Sequence, residues 1–302
     1  MRFSVIICSR DRAADLVRTL RSLQEALASA TEEWEVVVVD NASSDDTAGA
    51  ARGALGEDAT VVLEERLGLS FARNRGVAEA RGEVLVFIDD DITVDERWVR
   101  TYEETFEDGS VSAAGGPVET IFPEGSDPDY VRAVMADGGS GTGHYMPEGG
   151  RAEVFPGRRP GYPRGGNMAI RAAAIEDVGD FDVALGWGKH QIPAEETELF
   201  ARMCSAGHRI WYVPGAHVLH RFQIEKVNWA YLKRWHRGYG RASVIMKGRP
   251  SAGRRLLRLA DQLVTWLRYS LVVALDRRRA SAKPSRKKWQ AEGRIAQLLS
   301  LG

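Results

Sequence analysis

The chain has 302 residues, 41 basic and 42 acidic, with 44% hydrophobic residues and a net charge of −1. That length accommodates one large α/β domain with an appendage or two modest domains, and the apolar share is that of a folded soluble protein. Two cysteines exclude a disulfide framework, and one arginine before a brief apolar run is too little for a signal peptide or a membrane span at the N-terminus.

The chain opens with a predicted strand, Phe3 to Cys8. A cysteine inside a buried strand points to a reducing, cytoplasmic compartment. Asp11 stands where a helix N-cap belongs, and Leu16, Leu20, Leu23 and Leu27 follow as one apolar stripe. A second strand, Trp34 to Val39, leads into Asp40 and a turn-rich run to Asp45. A short helix comes next, then a strand near Thr60 to Leu63, then Gly68 to Gly76 entering a further helix. Strands alternating with helices predict a doubly wound, mostly parallel sheet flanked by helices. No glycine-rich dinucleotide fingerprint follows the first strand, which disfavours a nicotinamide or flavin domain.

The fourth strand, Val84 to Ile88, is apolar throughout and ends in Asp89-Asp90-Asp91. Open α/β sheets bind ligands beyond the carboxyl ends of their strands, and carboxylates alone suit a hard divalent cation, Mn²⁺ or Mg²⁺. A solvated acidic turn is the other reading of the triplet. Ser9 and Asp40 end two neighbouring strands, where polar groups can meet a base or ribose, and Arg73 suits phosphate.

Residues 137–166, with His144, Tyr145, Arg158, Arg159 and Tyr162, read as a mobile flap. In Gly186-Trp187-Gly188-Lys189 the indole either stacks on a sugar or is a buried anchor. Pro193, Glu195, Glu196 and Glu198 form an acidic helix start.

A boundary is expected near residue 225. Residues 226–302 carry 19 basic and 3 acidic side chains, net about +16, leaving about −17 for 1–225. Arg254 to Leu275 has Arg254, Arg258, Asp261, Thr265 and Arg268 at helical spacing amid apolar residues, and Arg268 interrupts any span. The helix either packs on the body or, with the basic run to Lys288, lies on an anionic membrane surface through 254–288. No motif for nucleic acid is present.

Seven motifs in order make the chain resemble the family 2 glycosyltransferases of GT-A fold. They are Ser4 to Arg12, Val36 to Thr47, Gly68 to Gly76, Ile88 to Asp91, Gly166 to Arg171 with Gly179 to Asp182, Glu195 to Leu199, and Val213 to His220. The resemblance implies an inverting transfer of sugar from a nucleotide-sugar, most simply a UDP-sugar, to a glycan, lipid-linked or small-molecule acceptor. Ser9, Asp40, Arg73, Asp89 and Asp90 match nucleotide-sugar positions. Asp91 and His220 match metal positions, and Glu196 matches the catalytic base, usually Asp, with Glu195 beside it. Asn167, Trp187 and Glu195 fall at the acceptor side. The competing readings are a nucleotidyltransferase making nucleotide-sugars and a non-catalytic carbohydrate- or nucleotide-binding protein; an oligomer is compatible with any of them.

Overall fold

In this computed structural model, residues 2–56, 60–136, 149–158, 160–188, 191–275 and 282–301 are described, those at 282–284 by backbone alone. The apolar runs near the N-terminus lack a polar face, as strands covered on both sides must. They form β1 (Phe3–Ser9), β2 (Trp34–Asp40), β3 (Thr60–Leu63) and β4 (Val84–Asp89), joined by α1 (Ala13–Leu27), α2 (Thr47–Leu55) and α3 (Leu69–Glu79). These four strands are parallel in the order β3-β2-β1-β4. The chain therefore runs outward from β1 and returns on its other side, which opens a crevice beyond the carboxyl ends of β1 and β4.

The chain continues through β5 (Ile92–Thr93), α4 (Glu96–Glu107), β6 (Ala113–Gly115), β7 (Val118–Ile121), α5 (Pro128–Ala136) and β8 (Ala152–Glu153). There follow β9 (Asn167–Arg171), α6 (Ala172–Val178), α7 (Glu195–Ser205), β10 (Ile210–Tyr212) and β11 (Val218–Arg221). The main sheet extends as β4-β9-β6-β10-β8, with β9 and β8 antiparallel to their neighbours. A second sheet has the order β5-β11-β7. The α/β class and mostly parallel sheet expected from the sequence are the ones found.

Alternation along the strands supplies two cores. Phe3, Val5 and Ile7 of β1 point to the face covered by Leu16, Leu20 and Leu23 of α1 and by Trp98, Tyr102 and Phe106 of α4. Ile6, with Leu85 and Phe87 of β4, points to the other face, against Ala72 of α3 and Leu199, Phe200 and Met203 of α7. The leucine stripe of α1 is thus the buried face its spacing predicts.

Two local expectations are corrected. Asp11 does not cap α1; its carboxylate accepts from Ser44 N and Oγ at 2.6 and 2.8 Å, and Asp45 Oδ2 instead accepts from Ala13 N at 3.2 Å. Asp11 takes a positive φ of 54°, which turns its side chain toward the neighbouring loop. Residues 137–166 are also not irregular throughout: Ala152–Glu153 pairs with β10, and Val154 N donates to Ile210 O at 2.8 Å. His144, Tyr145 and Arg159, like Lys189, lie outside the described residues.

The chain forms two compact units. One comprises Met1–Ile121, Gly143–Val183 and Glu195–Arg221; the other comprises Phe122–Thr142, Ala184–Ala194 and Phe222–Gly302. The second contains α5 and the C-terminal helices α8 (Trp229–Ile245), α9 (Ala252–Leu275) and α10 (Ala282–Leu299). Helices α8 and α10 approach through glycines. A Cβ on Gly240 would lie 2.1 Å from Gln290 O, and one on Gly293 would lie 2.0 Å from Arg237 O. Both obstacles are backbone, which cannot rotate away. Gly240→Val should therefore force the helices apart and cost about 2–3 kcal/mol, read as a lower urea midpoint; an unchanged midpoint would contradict this packing.

Candidate active site

The crevice is lined by the triplet at the tip of β4. Asp89 exposes 44% of its side chain, whereas Asp90 and Asp91 are buried. Two buried carboxylates side by side need counter-charge. Arg12, at the start of α1, supplies it: Nη1 lies 2.5 Å from Asp90 Oδ1 and 2.9 Å from Asp91 Oδ2. Ser9 Oγ donates to Asp90 Oδ2 at 2.7 Å, and Thr19 Oγ1 donates at 2.8 Å to the carbonyls of Asp90 and Ile92. Burial pushes the Asp90 carboxyl up to about 6, Arg12 opposing the rise and Asp91 adding to it. Arg12 is itself set by interlaced loops, its backbone N–H donating to Thr47 Oγ1 at 3.2 Å.

His220 reaches the triplet through the small sheet. The chain turns from Asp91 directly into β5, and β11 pairs with it in the register His220↔Ile92. Arg221 N donates to Asp91 O at 2.9 Å, which fixes that register at the triplet. His220 Nε2 then lies 3.3 Å from Asp91 Oδ1. A carboxylate and an imidazole converging from separate strands fit Mn²⁺ or Mg²⁺ as a two-ligand set, completed by oxygens of another molecule. No cluster of three or more His, Cys, Asp or Glu side chains suited to a metal occurs among the described residues.

The opposite wall is an ion pair between two helices on one face of the main sheet. Arg73 of α3, only 3% exposed, places Nη1 2.6 Å from Glu195 Oε1 at the start of α7. Its Nη2 donates to Gly165 O at 3.0 Å and lies 3.8 Å from Asp89 Oδ1. Glycines 165 and 166 permit this closeness: a Cβ on the first would sit 2.6 Å from Arg73 Nη2, and one on the second 2.6 Å from Asp89 Oδ2. Burial, reinforced by the charge of Glu196, pushes Glu195 from 4.5 up to about 7, with Arg73 opposing. Glu196 follows on the same first turn and is partly exposed. Glu198 pairs with Arg202 at 2.8 Å, and Arg202 in turn holds the carbonyls of Gly179 and Asp180. That gives Glu198 a structural task.

The other predicted site residues make protein contacts of their own. Arg73 is buried and donates to Glu195 and to the carbonyl of Gly165. Ser9 donates to Asp90, which also accepts from Arg12. Asn167 is fully buried: its Oδ1 accepts from Trp98 Nε1 at 3.0 Å and Tyr102 Oη at 2.8 Å, and its Nδ2 donates to Ala216 O at 2.7 Å. Trp187 lies in the second unit, stacked on Tyr231 with centroids 6.0 Å apart. Asp40 accepts from Ser43 N at 3.0 Å, closing its own turn through one oxygen. Burial pushes the Cys8 thiol up to about 12, which removes it as a nucleophile. Arg12 and the Gly165-Gly166 pair were given no role of their own from the sequence; the only signal was a basic residue three positions after the strand tip Ser9, and two adjacent glycines before a strand.

The family model for glycosyl transferase family 2 matches residues 4–179, more than half of the chain. The chain belongs to glycosyl transferase family 2. As a family 2 member it is a glycosyltransferase, an enzyme working with nucleotide-sugar donors. It is 27% identical to the glucosyl-dolichyl phosphate glucuronosyltransferase of Haloferax volcanii over 259 residues, 80% of this chain and 76% of that protein. It is 26% identical to the pre-mycofactocin glycosyltransferase of Mycobacterium tuberculosis over 280 residues, 91% of this chain but only 54% of that protein. Among solved structures, GalNAc-T7 with UDP, GalNAc and Mn²⁺ shares the fold at a TM-score of 0.56 and 17% identity, covering 99% of this chain and 56% of that one. S. aureus TarS 1-349 does so at 0.54 and 15%, covering 99% and 91%. The fold of this family 2 transferase is accordingly the GT-A arrangement implied by its motifs.

The raised Glu195 predicts a pH signature. The folded state holds a proton on Glu195 between about pH 4.5 and 7 that the unfolded chain releases. The resulting stabilisation is complete below that window and is lost as pH rises through 7. Glu195→Gln cannot titrate, so its urea stability should vary less over this window than that of the wild type. An equally steep dependence in the variant would show that another group titrates there.

Proposed function

We propose that this transferase moves a sugar from a UDP-sugar to an acceptor hydroxyl with inversion, in the presence of Mn²⁺ or Mg²⁺. The observation carrying the reading is that one crevice brings together Asp89, Asp91 and His220 on one wall and Glu195-Glu196 on the other, with Arg73 between them. Asp91 and His220 would hold the cation, which when bound offsets the charge of the departing diphosphate. Asp89, the open member of the triplet, takes a ribose hydroxyl. Asp40 offers its second carboxylate oxygen to an N–H of the base.

Glu196 is the base. It takes the proton of the acceptor hydroxyl as that oxygen bonds to the anomeric carbon from the face opposite the diphosphate, whose bond to the carbon breaks. No covalent intermediate forms, so a single base suffices. Glu195 is a positioning residue: pinned to Arg73, it sets the first turn of α7 and hence the place of Glu196. Support for a carboxylate in the usual Asp position comes from its chemistry, since Glu takes a proton equally well and reaches one methylene farther. The acceptor belongs to a glycan, a lipid-linked sugar or a small molecule. Cys8 and Cys204 are free thiols, which suits a cytoplasmic enzyme.

The test is UDP release and sugar transfer from a panel of UDP-sugars with Mn²⁺. Wild type should turn over at least one of them. Glu196→Gln should lose on the order of 10²-fold or more in turnover with donor affinity within a few-fold, and Asp91→Ala should lose both transfer and Mn²⁺-dependent stabilisation by UDP. Full activity of Asp91→Ala would overturn the assignment of the triplet. Crippling by Glu195→Gln with an active Glu196→Gln would move the base by one residue. Donor binding without turnover in the wild type would favour a non-catalytic binding protein.

A further inference from the structure

Helix α9 is inside out. A helix on a soluble body turns its apolar stripe inward and its charges outward. Along Ala252–Leu275 the less exposed positions include Arg255, Arg258, Gln262, Thr265, Trp266 and Tyr269, with Leu259 and Val273 as the aliphatic residues among them, and no residue of the helix is buried. Polar contacts line this side: Arg294 Nη1 of α10 donates to Gln262 Oε1 at 3.0 Å, and Trp266 Nε1 donates to Glu292 Oε1 at 3.3 Å. The other aliphatic side chains face away. Leu256, Leu257, Leu263, Val264, Leu267 and Leu271 are between 48 and 73% exposed. At 100° per residue these six fall within an arc of about 120°.

We infer that the outward face of α9 is a membrane-contact surface, on which the helix lies in the plane of an anionic lipid bilayer. Spanning is excluded for α9, since no described helix is long and apolar enough to cross a membrane. An apolar arc of this width, flanked by charge, is the form taken by helices that lie at the headgroup boundary. The flank carries Arg254 and Arg268, both exposed, with Asp261 as the single acid between them, and exposed Lys247 and Arg249 lead into the helix. Charge selects the occupant. Residues 226–302 are net about +16, so a second copy docking through the same face would meet its own repulsion, whereas phosphatidylglycerol or another anionic lipid is attracted. The basic residues 277–279 and 283, part of this charge, lie outside the described side chains.

The inference concerns a surface and is independent of the reaction assigned to the crevice. Its test is co-sedimentation of the full chain with vesicles of equal parts phosphatidylglycerol and phosphatidylcholine, and with phosphatidylcholine alone, at low and high salt. The wild type should partition onto the anionic vesicles, with binding that falls but persists at high salt. The double variant Leu256→Ser/Leu267→Ser alters only exposed side chains; it should keep the wild-type urea midpoint and bind about tenfold or more weakly. Arg254→Gln/Arg268→Gln should weaken binding chiefly at low salt. Absent binding in the wild type, or binding untouched by the double leucine variant, would overturn the proposal. So would a wild-type dimer in analytical ultracentrifugation that the leucine variant dissolves without any change in vesicle binding, because the face would then be a self-association surface.

Discussion

Three consecutive carboxylates at the end of a fully buried strand fold only if cations are brought to them. Leaving even one buried charge uncompensated costs several kcal/mol, a large part of the whole stability of a domain. Two arginines meet the demand and a histidine lies with them, each from a different part of the chain. Arg12 comes from the loop after β1 and covers Asp90 and Asp91. His220 comes from β11, on the second sheet, and lies beside Asp91. Arg73 comes from α3, lies near Asp89, and is itself balanced by Glu195 at the head of α7.

Much of the surrounding architecture follows from delivering those groups. The β1–α1 and β2–α2 loops exchange hydrogen bonds through Asp11, Ser44, Asp45 and Thr47, and this fixes Arg12. The short β5, immediately after the triplet, gives β11 something to pair with and so sets His220 at its height. Arg221 holds the same corner, donating to the carbonyl of Ile92 and to Thr19. On the far side, the absence of side chains at positions 165 and 166 lets the backbone pass directly over Arg73 and Asp89. Asn167, one residue on, anchors that passage by tying β9 to α4 and to the loop before β11. The result links the carboxylates at the tip of β4 to the head of α7 through Asp89, Arg73 and Glu195.

The strands and the triplet were legible in the sequence because local rules govern them. Uniform apolar runs of strand length, the α1 leucine stripe and acidic strand tips each act within a few residues. What could not be read was the assignment of partners. Whether Ser9 faces a ligand or Asp90, and whether Arg73 faces phosphate or Glu195, depends on which residues far apart in sequence the sheet order brings close. The same holds for Asn167, whose amide finds its partners in α4 and in the loop before β11. Several side chains at the motif positions are engaged with one another in this structure. The direction of α9 was likewise hidden, since its periodicity shows a helix with two unlike faces and says nothing of which face meets α10.

The central claim is that Asp91 and His220 form a two-ligand site completed by a nucleotide diphosphate. Electron paramagnetic resonance of Mn²⁺ tests it most directly, by following loss of the free-ion signal on titration with protein. The account predicts weak Mn²⁺ binding by the protein alone, markedly tighter binding when UDP is added, and loss of that gain in both Asp91→Asn and His220→Ala. Tight binding without nucleotide, or a UDP effect that survives both substitutions, would contradict it.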